Sequence, residues 1–178
     1  MTELRTAHTA DLDAGTLREA RALLYDVFDD MTEPDWEHAL GGLHAIVRDG
    51  TGMVGHASLV QRRLLHQGRA LRTGYVEGVG VRPDRRGRGH GAAMMAALER
   101  LAGRAYDLAA LAATDEAAAF YAGRGWQLWR GPSSALTPDG IHATPDEDGC
   151  IFVLPLDGSP ALDLDGGLTC DWRDGDVW

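Results

Sequence analysis

Several features are scarce or missing in this sequence, and each one narrows what the chain can be. Lysine is absent, so all 17 basic residues are arginines, which we interpret as codon bias without mechanistic meaning. Only two cysteines occur, Cys150 and Cys170, and they show neither a C-x-x-C motif nor metal-ligand spacing. The seven histidines are scattered, and no pair falls at a helical metal spacing. We therefore expect free thiols and no metal, with a disulfide in a secreted protein as the lesser alternative.

Long apolar runs are also missing. No stretch approaches the ~18 residues that a membrane span needs, and no charged and then apolar leader opens the sequence. The sequence therefore predicts a soluble, cytoplasmic protein without a membrane partner. Neither cysteine adjoins a histidine or a basic cluster, so we expect no covalent catalysis through an acyl-enzyme.

Linkers and internal repeats are absent as well, and 178 residues suffice for one full core. We expect a single domain over residues 1–178. Its net charge of −10 is unevenly placed, because residues 139–178 hold ten acids and one arginine. An acidic segment of this kind argues against a nucleic-acid partner and for a cationic ligand. The alternative is a solvated acidic surface that serves only solubility.

The stretch 74–92 is the most informative part of the sequence. A run of β-branched and aromatic residues over 75–81 predicts a strand, which ends at Pro83, and an Ala/Met/Leu helix follows. Between the strand and the helix stand three alternating glycines: Gly87, Gly89 and Gly91. This order predicts a strand, a tight turn and a helix that covers a sheet with Met94, Met95 and Leu98.

Glycines at this spacing let successive backbone N–H groups face one concavity at a helix start, where the helix dipole also favours negative charge. A phosphate group fits such a turn, and the neighbouring arginines would add charged donors: Arg85, Arg86 and Arg88. One alternative is a plain Gly-rich turn with a solvated basic face. The other is the dinucleotide fingerprint G-x-G-x-x-A, which we reject because it belongs in the first βα turn of a long doubly wound sheet.

Hydrophobic periodicity predicts the remaining elements. They are an edge strand over 4–7, a helix over 17–28 capped by Asp11 or Asp13, a short helix over 36–40 after Pro34, a hairpin of strands 43–48 and 53–65, and strands over 108–112, 126–129 and 150–156. The strand 108–112 should lie parallel to 75–81. Past residue 131 we expect a Pro/Ser/Thr/Gly-rich excursion, and then a tail that Trp172 and Trp178 anchor to the domain.

A second motif follows the strand predicted over 108–112. A helix of about two turns is expected there, with Phe120 packed inward. Thr114 or Asp115 caps the start of this helix, and Gly123 and Gly125 end it.

Both motifs resemble those of the GCN5-related N-acetyltransferases (GNAT). Residues 86–91, Arg-Gly-Arg-Gly-His-Gly, match the R-x-x-G-x-G acetyl-CoA loop, and residues 117–126 match A-x-x-F-Y-x-x-x-G-[FW] about 30 residues later. The resemblance implies an α/β (α+β) fold: a mixed, mostly antiparallel central sheet flanked by helices, with a parallel central strand pair splayed around acetyl-CoA.

Nearly the whole chain is further similar to the aminoglycoside 2′-N-acetyltransferases of actinobacteria. The stretches that carry this similarity are Thr-Glu-Pro-Asp-Trp-Glu-His-Ala-Leu-Gly-Gly-Leu-His-Ala, Gln-Arg-Arg-Leu-Leu, Gly-Tyr-Val-Glu-Gly-Val, Tyr-Ala-Gly-Arg-Gly-Trp and the final Cys-Asp-Trp-Arg-Asp-Gly-Asp-Val-Trp. The similarity implies acetyl-CoA as co-substrate, a cationic aminoglycoside as acceptor at its 2′-amino group, antibiotic resistance, and a homodimer.

Amine acetylation needs a base, an oxyanion donor and an acid. We assign Glu77 as the base, because it lies inside the central strand beside Gly78 and Gly80, whose missing side chains would let a ligand approach the backbone. The alternative is a surface carboxylate. The resemblance makes Tyr121 the acid for coenzyme A thiolate, with mere packing beside Phe120 as the alternative.

The resemblance also distributes the binding roles. Acetyl-CoA is expected to contact the main chain and the loop at Val79, Gly80, Val81, Arg86, Gly87, Arg88, Gly89, His90 and Gly91. The acceptor is expected at Asp30, Asp35, Glu77, Gly78, Ala112, Asp146, Glu147, Asp176 and Trp178, in agreement with the acidic segment 139–178. For Asp30 and Asp35 helix capping is an equal alternative.

Two other functions stay open at this point. The chain could acetylate a different amine, such as a polyamine, a protein N-terminus or a cell-wall amino sugar. It could also bind coenzyme A as a non-catalytic sensor.

Overall fold

The computed structural model describes residues 2–178, which fall into two compact units. The first unit contains residues 2–60 and 76–101, and the second contains 61–75 and 102–178. The expectation of one domain over 1–178 stays a prediction. No helix within the described residues is long and apolar enough to cross a membrane.

The elements run in the order β1 (Glu3–His8), α1 (Ala14–Val27), α2 (Glu33–His38), β2 (Leu43–Asp49), β3 (Gly52–His66), β4 (Arg69–Val81), α3 (His90–Ala105), β5 (Leu108–Ala112), α4 (Asp115–Ala122), β6 (Gln127–Leu128), β7 (Ser133–Thr137), β8 (Gly140–Ala143), β9 (Ile151–Pro155) and β10 (Leu168–Cys170). Most strand pairs are antiparallel, but β4 with β5 and β10 with β7 are parallel. The mixed, mostly antiparallel sheet with a parallel pair that the sequence predicted is therefore confirmed.

The first unit places α1 against β4. Helix α1 begins because the Asp13 carboxylate accepts a hydrogen bond from Thr16 N at 2.9 Å, so Asp13 is the cap of the two candidates, Asp11 and Asp13, that the sequence offered. Its buried side chains pack into one core with α2 and β2, among them Ala20, Leu23 and Leu24. In the same unit, Met94, Met95 and Leu98 of α3 are fully buried, as expected.

The second unit pairs its strands in the order β6-β9-β5-β4-β3-β10-β7-β8. Strand β5 lies parallel to residues 73–75 of β4, so the parallel pairing begins earlier in the chain than the predicted range 75–81. Strand β9 pairs antiparallel with all five residues of β5, and residues 108–111 and 151–153 are buried in the core of this unit.

Some expectations for the second unit were wrong. Phe120 is 38% exposed, because the inward position on α4 belongs to its neighbour Tyr121. Trp172 is 48% exposed, so Trp178 alone of the two tryptophans is buried. The strand expected over 126–129 is reduced to Gln127–Leu128. The excursion past residue 131 contains the β7–β8 hairpin, which its turn-rich composition concealed.

Candidate functional site

The glycine loop ahead of α3 has the backbone that an anion site needs. Gly87 and Gly89 adopt φ values of 71° and 81°, which side-chain-bearing residues rarely take. The first helical bond of α3 runs from Ala93 N to Gly89 O at 2.9 Å, so the earlier N–H groups of this turn have no intrahelical acceptor. Arg86 and Arg88 are exposed beside them. This geometry fits the phosphates of acetyl-CoA.

Arg85 has a different role from the one expected. Its Nε donates to Asp49 Oδ2 at 2.9 Å, and its Nη1 pairs with Asp84. Hydrogen bonds from Thr51 and then from Arg85 hold the pKa of Asp49 far below its usual value. Arg85 is thus a brace between the turn at Asp49 and the glycine loop, and its guanidinium is already committed within the chain.

The centre of β4 departs from a regular strand at Gly78, whose φ is +55°. Two consecutive carbonyls, of Glu77 and Gly78, both receive side-chain donors from β3: Ser58 Oγ at 3.4 Å and His56 Nδ1 at 3.0 Å. Consecutive carbonyls of a regular strand point to opposite sides, so the strand is irregular at Gly78, and we call this irregularity the bulge of β4. Glu77, half-buried, stands just before this bulge.

Gly78 and Gly80, beside Glu77, were expected to let a ligand approach the backbone, and this expectation was wrong. A Cβ on Gly78 would lie 2.9 Å from Leu24 Cδ1, and one on Gly80 would lie 3.0 Å from Leu24 Cδ2 and 3.2 Å from Leu23 Cδ2. The missing side chains therefore admit helix α1 rather than a ligand. The backbone N–H and C=O groups of Gly78, Val79, Gly80 and Val81 remain the expected ligand contacts.

The two acids expected in the first unit differ in their surroundings. Asp35 Oδ2 accepts from Thr32 N at 2.8 Å and from Thr32 Oγ1 at 2.6 Å, which forms the capping box of α2. The capping role that the sequence left open is thus confirmed for Asp35. Asp30 is exposed in the turn between α1 and α2. A substrate role for either acid stays a prediction.

The structure brings together three of the acids expected in the second unit. Burial, and then the charges of Asp176 and Asp146, raise the pKa of Glu147. Trp178 is buried next to them: its indole Nε1 donates to Thr144 Oγ1 at 2.9 Å, and its N donates to Asp176 Oδ1 at 3.0 Å. We call Asp146, Glu147 and Asp176 the acidic group. Such a group suits an ammonium-bearing ligand.

Tyr121 is enclosed by aromatic rings in the second unit. It is 6% exposed and packs edge-to-face with Phe120 and Trp126, at ring distances of 5.1 and 6.0 Å. Burial raises the pKa of Tyr121 to about 12, which keeps its hydroxyl protonated at neutral pH. A protonated hydroxyl is what a proton donor requires. Ala112, the other expected contact in this unit, is exposed at the end of β5.

Two assemblies were not anticipated from the sequence. The first is a histidine chain, in which Thr9 Oγ1, His44, His56 and the Gly78 carbonyl follow one another at hydrogen-bond distance. The predicted hairpin contained a signal for it, because a turn at 49–52 places His44 opposite Ser58 and diagonal to His56. The second is the arginine clamp, in which buried Arg62 binds the tail.

The two cysteines agree with what the sequence predicted. Both cysteines are free thiols. Within residues 2–178 no group of three or more His, Cys, Asp or Glu side chains could hold a metal ion. The absence of a bound metal stays a prediction.

Residues 9–129, more than half of the chain, match the acetyltransferase (GNAT) domain family. The chain belongs to the GNAT family of acetyltransferases, enzymes that use acetyl-CoA. In sequence it is 49% identical to an aminoglycoside 2′-N-acetyltransferase of Mycolicibacterium fortuitum, over 98% of this chain and 91% of that protein.

Solved structures share the fold at low sequence identity. A GNAT acetyltransferase of Brucella melitensis, in complex with acetyl-CoA, matches with a TM-score of 0.62 at 16% identity over 94% of each chain. Eis1 of Mycobacterium abscessus matches with a TM-score of 0.61 at 19% identity. That match covers 75% of this chain and 33% of Eis1, so this chain spans about a third of the length of Eis1.

Proposed function

We propose that this protein transfers the acetyl group of acetyl-CoA to the 2′-amino group of aminoglycoside antibiotics and thereby confers resistance to them. The observation that carries this proposal is the 49% identity, over 98% of the chain, to an aminoglycoside 2′-N-acetyltransferase. The protein acts in the cytoplasm as a single-domain chain, as composition and length predict, and as a homodimer, as the family resemblance implies.

The donor half of the site lies in the first unit. The N–H groups of the glycine loop, with Arg86, Arg88 and His90, bind the pyrophosphate of acetyl-CoA, which supplies an activated thioester when bound. The exposed loop and its left-handed glycines support this assignment. The backbone of Gly80 and Val81 contacts the pantetheine arm, and Val79 N–H donates to the thioester oxygen as negative charge develops there.

The proton transfers fall to Glu77 and Tyr121. Glu77 takes a proton from the acceptor ammonium, directly or through water, so that a neutral amine attacks the thioester carbon. Tyr121 returns a proton to the departing thiolate, and its raised pKa supports a protonated hydroxyl. The transfer is direct, because burial raises the pKa of both Cys150 and Cys170 and so disfavours a thiolate nucleophile, in Cys170 despite the nearby Arg62.

The acceptor is a polycation held by carboxylates. In the second unit the acidic group, Ala112 and Trp178 contact the acceptor. In the first unit Asp30, Asp35 and the Gly78 backbone do so. The raised pKa of Glu147 supports a concentration of negative charge that a multiply charged amine relieves.

Thiol release from acetyl-CoA over a panel of amines tests the proposal. Tobramycin and gentamicin carry a 2′-amine and should be turned over. Kanamycin A carries a hydroxyl at that position, so it should bind through its other ammonium groups, release little thiol and act at most as a competitive inhibitor. Kanamycin A turnover at the tobramycin rate would contradict the 2′ assignment. Turnover of polyamines or peptides alone would move the enzyme to another substrate class, and coenzyme binding without thiol release would indicate a sensor.

Tyr121→Phe tests the proton donor. We expect kcat to fall ~10²-fold or more, with smaller changes in either KM, if proton return to the thiolate limits turnover. Phe120→Leu is the matched control, because Phe120 is the more exposed ring of the same aromatic set. A two- to threefold loss for Tyr121→Phe would leave Tyr121 with a packing role only.

A further inference from the structure

The histidine chain crosses the first unit from its half-buried end at Thr9 to the bulge of β4. Thr9 Oγ1 lies 2.7 Å from His44 Nε2, His44 Nδ1 lies 2.8 Å from His56 Nε2, and His56 Nδ1 lies 3.0 Å from Gly78 O. Both rings are fully buried. Every ring nitrogen of the two histidines therefore has a hydrogen-bond partner, and no charged group takes part.

Elementary valence fixes the protons along this chain. The Gly78 carbonyl can only accept, so His56 Nδ1 carries the proton, and His56 Nε2 of a neutral ring must accept. His44 Nδ1 then donates and His44 Nε2 accepts from the Thr9 hydroxyl. Thr9 Oγ1 also lies 3.2 Å from Gly42 O, but its one proton goes to the shorter contact with His44 Nε2 at 2.7 Å. Gly42 O still accepts from Thr9 N at 2.9 Å. All bonds run in one direction, toward Gly78.

The rings stay neutral because of where they lie. Burial, followed by the neighbouring charges of His56 and His8, lowers the pKa of His44 to about 4. Burial also lowers the pKa of His56 to about 4, although the bond to the Gly78 carbonyl opposes that shift. Trp36 packs against His56 at a ring distance of 6.3 Å and adds no charge. The single-proton arrangement above is therefore the one that holds at neutral pH.

The bond from His56 also sets the direction of the next N–H group. The carbonyl of Gly78 and the N–H of Val79 belong to one peptide group, and the described residues contain no cis peptide bond. In a planar trans peptide these two groups point in opposite directions. Drawing the Gly78 carbonyl toward β3 therefore turns the Val79 N–H away from β3.

We propose that His56, supported by His44 and Thr9, is a positioning residue that locks the Gly78–Val79 peptide and so aims the Val79 N–H at the thioester oxygen. This inference rests on the proposed function, in which Val79 N–H is the oxyanion donor. A glycine at the bulge makes the lock necessary, because Gly78 lacks the side chain that restricts rotation of its peptide. His56 Nδ1, 3.0 Å from the Gly78 carbonyl, is placed to hold this peptide in one orientation.

Two substitutions separate positioning from packing. His56→Leu removes the donor and keeps an apolar side chain of similar bulk, and we expect kcat to fall roughly 10- to 100-fold with both KM values within about twofold. His56→Asn can place an amide N–H near the Nδ1 position, so it should recover kcat to within about threefold of the wild type. An unchanged kcat in folded His56→Leu would overturn the inference.

His66→Leu provides the matched control. His66 is also buried, and its Nδ1 lies 2.9 Å from a backbone carbonyl, that of Gly167 in the second unit. We expect this variant to lose thermal stability as His56→Leu does and to keep its kcat. Equal kcat losses in both variants would mean that His56 contributes only to stability.

A second readout needs no turnover and keeps the test valid if His56→Leu fails to fold. Long-range ¹H–¹⁵N spectra of histidine-labelled wild-type protein at pH 7 should show both His44 and His56 protonated at Nδ1. In His56→Asn, the Val79 amide resonance should stay near its wild-type position. Protonation of His56 at Nε2 would overturn the inference by itself. Wild-type protein that shows the expected tautomers but acetylates no 2′-amine would overturn the proposed function instead.

Discussion

The histidine chain of the first unit and the arginine clamp of the second solve the same problem by different means. Each holds a backbone segment that carries expected ligand contacts. The histidine chain uses only neutral groups, and each of its two rings donates once and accepts once. The arginine clamp uses a guanidinium that is 5% exposed and that donates to Asp171 Oδ1 at 2.7 Å, to Asp171 O at 2.9 Å and to Val177 O at 2.8 Å.

This difference predicts different weaknesses. A neutral chain is complete without a counter-ion, so it is threatened by conditions that protonate its rings. A buried guanidinium keeps its charge, so it depends on the acid that compensates it. Arg62 also stacks on Tyr75 at 4.8 Å, yet its Nη1 has no hydrogen-bond partner in the part of the chain that the structure describes. We therefore expect a substitution in the arginine clamp to lower the stability of the protein more than a substitution in the histidine chain does.

The largest effect is expected when the clamp loses its acid. Asp171→Ala leaves the Arg62 charge buried and uncompensated, which should lower the free energy of unfolding by about 3 kcal/mol. Arg62→Met removes the charge and fills the space of its stem, and should cost about 1–2 kcal/mol. Urea unfolding of both variants measures the order. A larger loss for Arg62→Met would contradict the dependence of the clamp on Asp171.

A surface pair provides the control for this order. Arg130 and Asp165 form a forked ion pair with both bonds at 2.7 Å, whereas Arg62 bonds only one carboxylate oxygen of Asp171. The side chains of Arg130 and Asp165 are 55% and 68% exposed. Solvent screens such a pair, so Asp165→Ala should leave the urea midpoint close to that of the wild type, although it removes two bonds to a carboxylate. A small loss here beside a large loss in Asp171→Ala would support burial as the cause.

The histidine chain should instead lose its stabilising effect as the pH falls. Unfolded histidines take up protons near pH 6.5, whereas both rings of the folded chain have pKa values lowered to about 4. Between these values the unfolded state binds more protons, so stability is lost as pH falls from 6.5 toward 4. Each ring contributes a slope of up to about 1.4 kcal/mol per pH unit.

His56→Asn is the test of that slope, since it removes one of the two rings. Urea unfolding at several pH values between 4.5 and 7 should give a shallower dependence for this variant than for the wild type. Asp49 does not interfere, because its lowered pKa confines its loss of stability to pH values below the ordinary range of a carboxyl group. Parallel curves would mean that His56 is not held neutral in the folded state.

The histidine chain and the arginine clamp were not predicted from the sequence, unlike features that depend on near neighbours along the chain. The glycine loop, the cap at Asp13 and the buried methionines of α3 were predictable, because each depends on neighbours within a few residues along the chain. Asp35 showed both a capping and a ligand pattern, and local sequence could not separate them. The partners of Arg62, by contrast, lie 109 to 115 residues away along the chain.

The wrong expectations have a similar cause. Gly78 and Gly80 are recognisable as exceptional in a strand, but only the packed structure shows that Leu24 occupies the space beside them. Phe120 and Tyr121 are adjacent aromatic residues on a two-turn helix, and either could have faced the core. The choice depended on Trp126 and on Phe152 of β9, which tertiary pairing brings to Tyr121.

The smallest effect is expected at the acidic group, where solvent and salt weaken every charge. Glu147→Gln should raise the KM for an aminoglycoside about two- to fivefold and leave the KM for acetyl-CoA unchanged. Wild-type acceptor KM should climb with ionic strength, and more steeply than that of the variant.

Because burial and the charges of Asp176 and Asp146 raise the pKa of Glu147, this carboxyl group becomes neutral at a higher pH than an ordinary one does. Acceptor KM should therefore begin to rise at that higher pH as the pH falls. Asp165→Asn alters an acid that is already paired, so it is the control. A salt response shared by all three proteins, or none at all, would assign the acidic group to solubility.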